Sequence, residues 1–282
     1  MKIKALMMSK DEDELLVPWV KHHAHLFGAA NLLIFDNGTT NELALQQLDW
    51  ARGLGVSVDV SHPEPEAFGD KGTVLANEIQ RLDKEDPADF YFPLDCDEFV
   101  GVDLDGDICF DGPSIEAALA PLSDYSGPLM IRSAYDNNPA QPDCYRPAPM
   151  QRKCFFTRGV CVWLDAGSHN GMTIDRTPEK ATNLIYVHFH FRRFPALVKH
   201  SKLKIAALIP DFDPSREAEF FTPEKIQQYR DSGMPCNHVF QHIESGGEDH
   251  YLGPWRAIEC FRLPRLAAAL QSAGASVPFS DT

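Results

Sequence analysis

Three carboxylates follow a short apolar segment in the sequence FYFPLDCDEFVG. Asp95, Asp97 and Glu98 stand directly after residues 90–94, which read as a buried strand. Two aspartates separated by one residue suit a divalent metal that prefers oxygen ligands, such as Mg²⁺ or Mn²⁺. Such an ion can stabilise a leaving diphosphate, on which negative charge develops as its bond breaks. Asp95 and Asp97 are therefore predicted metal ligands, with Glu98 as a further ligand or as a residue that orients one; the alternative is an ordinary solvated turn.

A second group of candidate residues lies in YVHFHFRRF. His188 and His190 share one face of a predicted strand, because side chains repeat every second residue. Neutral imidazole binds Mn²⁺, and Arg192 on the same face is placed to meet phosphate; the alternative is a pair of half-buried structural histidines. Asp165 and His169 share the loop LDAGSHNG, where either side chain could act as a general base on a hydroxyl or stabilise the loop.

The elements that must position these residues alternate between strands and helices. Strands are predicted at 3–9, within 30–41, at 56–60 and at 88–95, and helices within 11–28 and at 42–55 and 71–85. This alternation predicts an α/β fold with a mostly parallel sheet and helices on both faces. Ligands bind beyond the carboxyl ends of the strands in such sheets. Those ends are where Lys10, Asp36, Asn37 and the carboxylates at 95–98 fall.

The pattern is looser after residue 100. A helix is predicted at 114–122, a strand within 127–138, a β-hairpin from KCFFTRG and VCVWLDAGSHNG, a strand over 183–194 and a helix at 195–208. The segment DLDGD is interpreted as a turn, and HHAH as a surface or packing part of its helix. A closing helix at 264–274 completes a single domain with a C-terminal extension.

Composition excludes several classes of protein. The 282 residues are 44% hydrophobic, which is enough for a substantial core, and the net charge of −15 would repel nucleic acid. Seven cysteines without a C-x-x-C pair, and an N-terminus unlike a secretory signal, predict a reduced, cytoplasmic protein. No segment has the roughly 20 apolar residues of a membrane helix, and the basic segment 188–204 predicts at most peripheral membrane contact.

Several of these segments carry a resemblance that spans about residues 3–204. MMSKDEDELLVPWVKHHAHLFGAANLLIFDNGTTN resembles the opening of the bacterial glycosyltransferases of the family-2-like and family-92-like group. PLDCDEFV resembles the D-x-D-E-F element of that group. MQRKCFF, GSHNG and VHFHFRRFPALVKHSK resemble its later segments.

The resemblance implies a GT-A fold, in which a Rossmann-like nucleotide-binding half (1–100) is joined to an acceptor half (101–208). Residues 209–282 lie outside the resemblance and are predicted to form a C-terminal helical extension. It implies a glycosyltransferase of the hexosyltransferase type that uses Mn²⁺ or Mg²⁺. This enzyme would move a sugar from a nucleotide-diphosphate donor, with a UDP-sugar favoured, to a hydroxyl of a carbohydrate or glycolipid, with inversion. Carried over by position, the donor would be contacted by Lys10, Asp11 or Glu12, Asp36 with Asn37, Asp95, Lys153 and Arg192, and the metal by Asp95, Asp97 and His188 or His190.

Two other functions fit the same residues. A metal-dependent phosphohydrolase could use Asp95 as nucleophile and Asp97 as acid, since D-x-D after a strand also suits a phosphoaspartate mechanism. A binding protein could keep the nucleotide pocket without turnover. Phosphate release from an aryl phosphate would indicate the first, and nucleotide binding without sugar transfer the second.

Overall fold

A computed structural model describes residues 1–141, 144–206, 208–232, 246–257 and 261–262. The strands are β1 (Ile3–Ser9), β2 (Leu32–Asp36), β3 (Ser57–Asp59), β4 (Phe90–Pro93), β5 (Glu98–Leu104), β6 (Asp107–Cys109), β7 (Leu129–Ile131), β8 (Ser133–Asn137), β9 (Cys144–Pro147), β10 (Lys153–Thr157), β11 (Cys161–Leu164), β12 (Gly171–Thr173), β13 (Lys180–Ala181), β14 (Leu184–His188) and β15 (Phe261–Arg262). The α-helices are α1 (Leu16–Phe27), α2 (Glu42–Gly53), α3 (Pro65–Gly69), α4 (Lys71–Glu85), α5 (Gly112–Leu119), α6 (Phe194–Ala206), α7 (Glu217–Phe220), α8 (Pro223–Asp231) and α9 (Gly247–Ala257).

The first four strands lie side by side and parallel within a larger sheet. Its strand order is β13-β7-β10-β4-β1-β2-β3, and β1 pairs in parallel with both β2 and β4. β10 joins β4 in the antiparallel direction. The α/β class predicted from the alternation of strands and helices is confirmed.

Helices cover both faces of this sheet, as predicted. Ala5 and Met7 of β1 face a buried cluster that includes residues of α1 and α2, whereas Leu6 and Met8 face a separate cluster with residues of α4. The alternation follows from the two-residue repeat of a strand, which sends neighbouring side chains to opposite faces. All seven residues of β1 are buried, and apart from Lys4 and Ser9 they are apolar, as expected for a strand covered on both faces.

Strands from the later part of the chain, together with β5 and β6, form a second sheet. Its order is β15-β9-β8-β14-β5-β6, and most of its pairs are antiparallel. β14 lies between β8 and β5, with His188 opposite Glu98. DLDGD, interpreted as a turn, connects the end of β5 to the start of β6.

Two predictions for the later segments need correction. The hairpin expected from KCFFTRG and VCVWLDAGSHNG was wrong: β10 pairs with β4 and β7, whereas β11 pairs with β12. All of β10 is buried, so it belongs in the core, while the middle of β11 is exposed. The helix expected at 114–122 ends at Leu119 and continues as a 3-10 turn over Ala120–Leu122. The helix expected at 264–274 lies outside the described residues.

The described cysteines, at positions 96, 109, 144, 154 and 161, are free thiols. In the described ranges, no helix is both long enough and apolar enough to cross a bilayer.

Candidate functional site

Asp97, His188 and His190 converge at the carboxyl edge of the parallel strands. One ligand atom from each residue lies within 4.8 Å of the others, and Nε2 of His188 is 3.5 Å from Oδ2 of Asp97. Two local features bring them together: β14 pairs with β5 in fixed register, and the Phe189 N–H donates to the Asp97 carbonyl at 2.7 Å. One carboxylate and two imidazoles form a donor set that fits Mn²⁺, and all three side chains are partly exposed.

A tight turn between β4 and β5 presents Asp97. The Asp95 N–H donates to Oε2 of Glu98 at 2.8 Å, and the Glu98 N–H donates to the Asp95 carbonyl at 3.1 Å. Glu98 is buried, so its carboxylate stabilises the turn by accepting this hydrogen bond on the side away from solvent. Burial, only partly offset by Lys153, raises the pKa of Glu98.

The predicted metal ligand Asp95 is not part of the Asp97–His188–His190 group. Its carboxylate accepts from Nζ of Lys71 at 2.5 Å and from Nζ of Lys153 at 2.9 Å. Burial alone would raise the pKa of Asp95, but Lys153 and Lys71 outweigh it and hold the pKa below its usual value. The structure therefore places two ammonium groups beside Asp95.

Lys153 is the buried centre of this charge network. Its Nζ reaches Asp95, Glu98 (2.8 Å) and the carbonyl of Gly167 (2.8 Å), while its side chain is only 1% exposed. Burial would lower the pKa of Lys153, but the carboxylates of Asp95 and Glu98 outweigh it and raise the pKa above its usual value. Lys153, predicted to face a phosphate, is thus committed to the two carboxylates of the turn.

Arg192 also has protein partners. Its guanidinium donates to both oxygens of Glu12, at 3.1 and 2.6 Å, and to Glu14 at 2.9 Å. Oε1 of Glu12 accepts in addition from the N–H of Leu15, next to the start of α1. This buried bidentate pair connects the segment after β14 to α1, so Glu12 and Arg192, both predicted to contact the donor, are engaged with each other.

Asp36 and Asn37 end β2 at the same edge of the sheet. Asp36 accepts from the N–H of Thr39 at 3.1 Å. Asn37 is fully committed as a donor, because its Nδ2 reaches the carbonyls of His62 and Glu64 at 2.7 Å each. Asn37 therefore shapes the loop after β3, whereas Asp36 retains acceptor capacity at the strand end.

The loop after β1 is joined to the loop after β2. Asp11 has a positive φ of 51°, and its Oδ1 accepts from the N–H groups of Thr40 and Asn41 at 2.7 and 2.8 Å. Lys10, half-buried, stands beside it. Asp11 thereby fixes the backbone next to Lys10, which was also predicted to lie near the nucleotide.

The two candidate bases have different surroundings. Asp165 accepts from the His169 N–H at 2.7 Å and from Nδ2 of Asn170 at 2.6 Å, so its carboxylate holds the loop together. His169 is exposed, and its ring lies against Gly167. Partial burial, reinforced by Lys153, lowers the pKa of His169 and favours the neutral imidazole.

Four residues near these groups were not predicted from the sequence: Lys71, Asp136, Arg146 and Gln151. Lys71, the first residue of α4, had one signal, since α4 was expected to begin there near the carboxyl edge. Asp136 and Arg146 lie on two antiparallel strands and had no motif to mark them, whereas Gln151 lay in the quoted segment MQRKCFF without being singled out. In the structure, Nδ1 of His188 is 2.9 Å from Oε1 of Gln151, and Nε2 of Gln151 donates to Asp136 at 2.9 Å.

No protein-family model matches the sequence, and no curated protein matches it. Solved structures that it resembles include TarS 1-349 from S. aureus, with 12% identity, coverage of 99% of this chain and 81% of that chain, and a TM-score of 0.38. The same protein in complex with UDP-GlcNAc is 13% identical, with coverage of 99% and 88% and a TM-score of 0.40. Glucosyl-3-phosphoglycerate synthase from Mycobacterium tuberculosis, in complex with Mn²⁺, UDP and glucosyl-3-phosphoglycerate, is 14% identical, with coverage of 74% and 81% and a TM-score of 0.36. These likenesses concern the fold, and the function proposed next rests on the residues of the site.

Proposed function

We propose that the protein is a metal-dependent glycosyltransferase. It moves a sugar from a nucleotide-diphosphate donor, with a UDP-sugar favoured, to a hydroxyl acceptor, with inversion. The observation that carries the proposal is the Asp97–His188–His190 group, next to a turn whose Asp95 is flanked by Lys71 and Lys153. A donor diphosphate needs both a cation to bind and positive charge nearby, and this edge of the sheet supplies residues for each.

Asp97, His188 and His190 would hold Mn²⁺, or Mg²⁺, which supplies positive charge to the leaving diphosphate. Lys71 adds a fixed positive charge at the first turn of α4, where the helix N-terminus also favours an anion. Asp36 offers acceptor oxygens to the base or ribose, and Lys10 lies at the neighbouring strand end. His169, exposed and favoured as neutral imidazole, is the proposed base for the acceptor hydroxyl, with Asp165 shaping its loop.

The division of the chain follows from this assignment. Residues 1–100 would form the nucleotide-binding half of a GT-A domain, 101–208 the acceptor half, and 209–282 an extension. A carbohydrate or glycolipid acceptor, action in the cytoplasm and at most peripheral membrane contact complete the proposal.

Calorimetric titration of UDP, GDP and CDP, each with and without Mn²⁺, tests the donor site. One nucleotide is expected to bind only with Mn²⁺, and Asp97→Asn is expected to abolish that binding. Asp105→Asn is the matched control, because Asp105 lies in the second D-x-D-like segment, exposed between β5 and β6. Incubation with the corresponding nucleotide-sugars then tests turnover.

Other outcomes would redirect the assignment. Binding of no nucleotide in either condition would remove the basis of the glycosyltransferase proposal. Metal-dependent phosphate release from an aryl phosphate would support the phosphohydrolase. Tight nucleotide binding without transfer or donor hydrolysis would support a binding protein that lacks turnover.

A further inference from the structure

The two ring nitrogens of His188 face different partners. Nε2 points toward Asp97, with 3.5 Å between Nε2 and Oδ2, in the direction of the proposed metal. Nδ1 is 2.9 Å from Oε1 of Gln151. A neutral histidine carries its proton on only one nitrogen, and the hydrogen bond made by one nitrogen decides whether the other can bind a metal.

The direction of that hydrogen bond follows from the next partner along. Asp136 can only accept when ionised, and its Oδ1 is 2.9 Å from Nε2 of Gln151. The Gln151 amide must therefore turn its NH₂ group to Asp136 and its carbonyl oxygen to His188. Because a carbonyl oxygen only accepts, Nδ1 of His188 must carry a hydrogen. In the neutral ring, which is the form that binds a metal, this leaves the lone pair on Nε2.

Arg146 holds Asp136 in its role as an acceptor. The guanidinium donates from Nε and Nη2 to Oδ2 of Asp136 at 3.2 and 3.1 Å, while Oδ1 remains for Gln151. Arginine stays protonated in proteins, so it cannot accept from Asp136 and reverse the order of donors. The guanidinium also lies 4.0 Å from the ring centre of Trp255 in α9, which limits its movement.

We propose that Gln151 and Asp136 are positioning residues for the metal site, and that they fix His188 with hydrogen on Nδ1 and its Nε2 lone pair aimed at the metal. Neither residue belongs to the Asp97–His188–His190 group. The inference rests on the proposed metal site and adds a cause for the orientation of one ligand. Partners of this kind raise the metal affinity of a histidine because they remove its freedom to rotate or change tautomer.

The test measures metal binding without nucleotide, from the electron paramagnetic resonance signal of free Mn²⁺ in titrations of the full chain. Gln151→Leu and Asp136→Asn are each expected to weaken Mn²⁺ binding by about 10- to 100-fold. Gln151→Glu keeps an acceptor opposite Nδ1 and is expected to lose less than Gln151→Leu. Gln80→Leu is the control, because Gln80 is equally half-buried but donates to the carbonyl of Val162, outside this cluster.

A second readout follows the ligand atom directly. In protein loaded with ¹¹³Cd²⁺ and labelled with ¹⁵N-histidine, coupling between cadmium and Nε2 of His188 is expected, with hydrogen on Nδ1. His188→Gln assigns the signal.

The proposal is overturned if Gln151→Leu binds Mn²⁺ within about twofold of the unaltered protein. Equal losses in Gln151→Leu and Gln151→Glu would show that the acceptor opposite Nδ1 is not what matters and also overturn it, as does cadmium coupling to Nδ1. If the unaltered protein binds neither ion, both this inference and the metal-dependent function fail. If it binds Mn²⁺ and a nucleotide while the variants match it, only the positioning role fails.

Discussion

At the scale of single residues, the buried ammonium group of Lys153 is expected to be needed for stability, because it neutralises two carboxylates. Its ammonium lies between Asp95 and Glu98 with a side chain that is only 1% exposed. Lys153→Met removes the cation and leaves buried carboxylate charge uncompensated. We expect a loss of about 3–5 kcal/mol in the free energy of unfolding, measured by urea denaturation.

Lys84→Met is the matched control, since Lys84 is exposed near the end of α4. We expect its effect to stay within about 0.5 kcal/mol. A loss for Lys153→Met no larger than that of the control would show that the network contributes nothing to stability.

Because His22 is buried as a neutral imidazole, we expect the free energy of unfolding to fall in mild acid. The residue is fully buried in α1, its Nε2 lies 2.8 Å from the Val100 carbonyl, and burial lowers its pKa from 6.5 to about 4. As the pH falls below 6.5, the unfolded chain takes up a proton that the folded protein accepts only near pH 4. The contribution of His22 to the free energy of unfolding therefore falls as the pH drops from 6.5 to 4, by on the order of 3 kcal/mol in total.

Replacement by a group that does not titrate isolates this effect. His22→Gln keeps an N–H donor and should show a shallower decline in unfolding free energy between pH 6.5 and 4, measured by urea denaturation at several pH values. His25→Gln, on the exposed side of α1, should keep the slope of the unaltered protein. Equal slopes in all three proteins would exclude His22 as the source.

At the scale of elements, α4 packs against the loop after β11 without room for a side chain. A Cβ on Gly72 would lie 2.4 Å from the carbonyl oxygen of Leu164 and 2.5 Å from that of Asp165. Alanine favours a helix over glycine by about 1 kcal/mol, but here it must push the start of α4 away from this loop. We expect Gly72→Ala to lower the melting temperature and, because Lys71 precedes it, to weaken binding of UDP with Mn²⁺.

Gly53→Ala tests the opposite case. Gly53 ends α2 and a Cβ there would meet nothing within 4 Å, so this change should leave nucleotide binding intact and slightly raise the melting temperature. Similar effects of the two substitutions would show that the contact at Gly72 is unimportant.

Elements with local signals could be predicted from the sequence, and those defined by distant partners could not. Helix α4 was expected at 71–85 and spans those residues, because its apolar positions recur at helical spacing. Strand β10 was assigned to the wrong partner, because its place in the core depends on β4, about sixty positions earlier.

The same distinction applies to the candidate site. Asp97, His188 and His190 were recognisable by residue type and spacing, and the structure brings them together. Lys153 and Arg192 were recognised as cations, but their engagement with buried carboxylates depends on tertiary contacts. Gln151 stood within the quoted segment MQRKCFF, but only Lys153 was singled out there, because nothing in the sequence shows that an amide will contact His188.

For the whole molecule, the proposed metal acts on stability as well as on the donor. An ion that binds only the folded protein raises the free energy of unfolding, by about 2.7 kcal/mol at a concentration 100 times its dissociation constant. We therefore expect Mn²⁺ to raise the urea midpoint of the unaltered protein and not that of Asp97→Asn. An equal rise in both proteins would place the bound Mn²⁺ elsewhere.

Because β14 pairs with β5, the proposed metal site depends on the register of these two strands as well as on the chemistry of its ligands. With His188, the last residue of β14, opposite Glu98, a slip of one residue would exchange the faces of the strand. Val187 would then turn toward Asp97 and the imidazole of His188 into the core. Many single substitutions along these two strands can leave the ligands in place. A single-residue insertion or deletion within β14, unless a bulge absorbs it, would turn the imidazole of His188 away from Asp97. During evolution, changes of length should therefore accumulate in the connecting loops, and β5 and β14 should keep a constant length even where their sequences diverge.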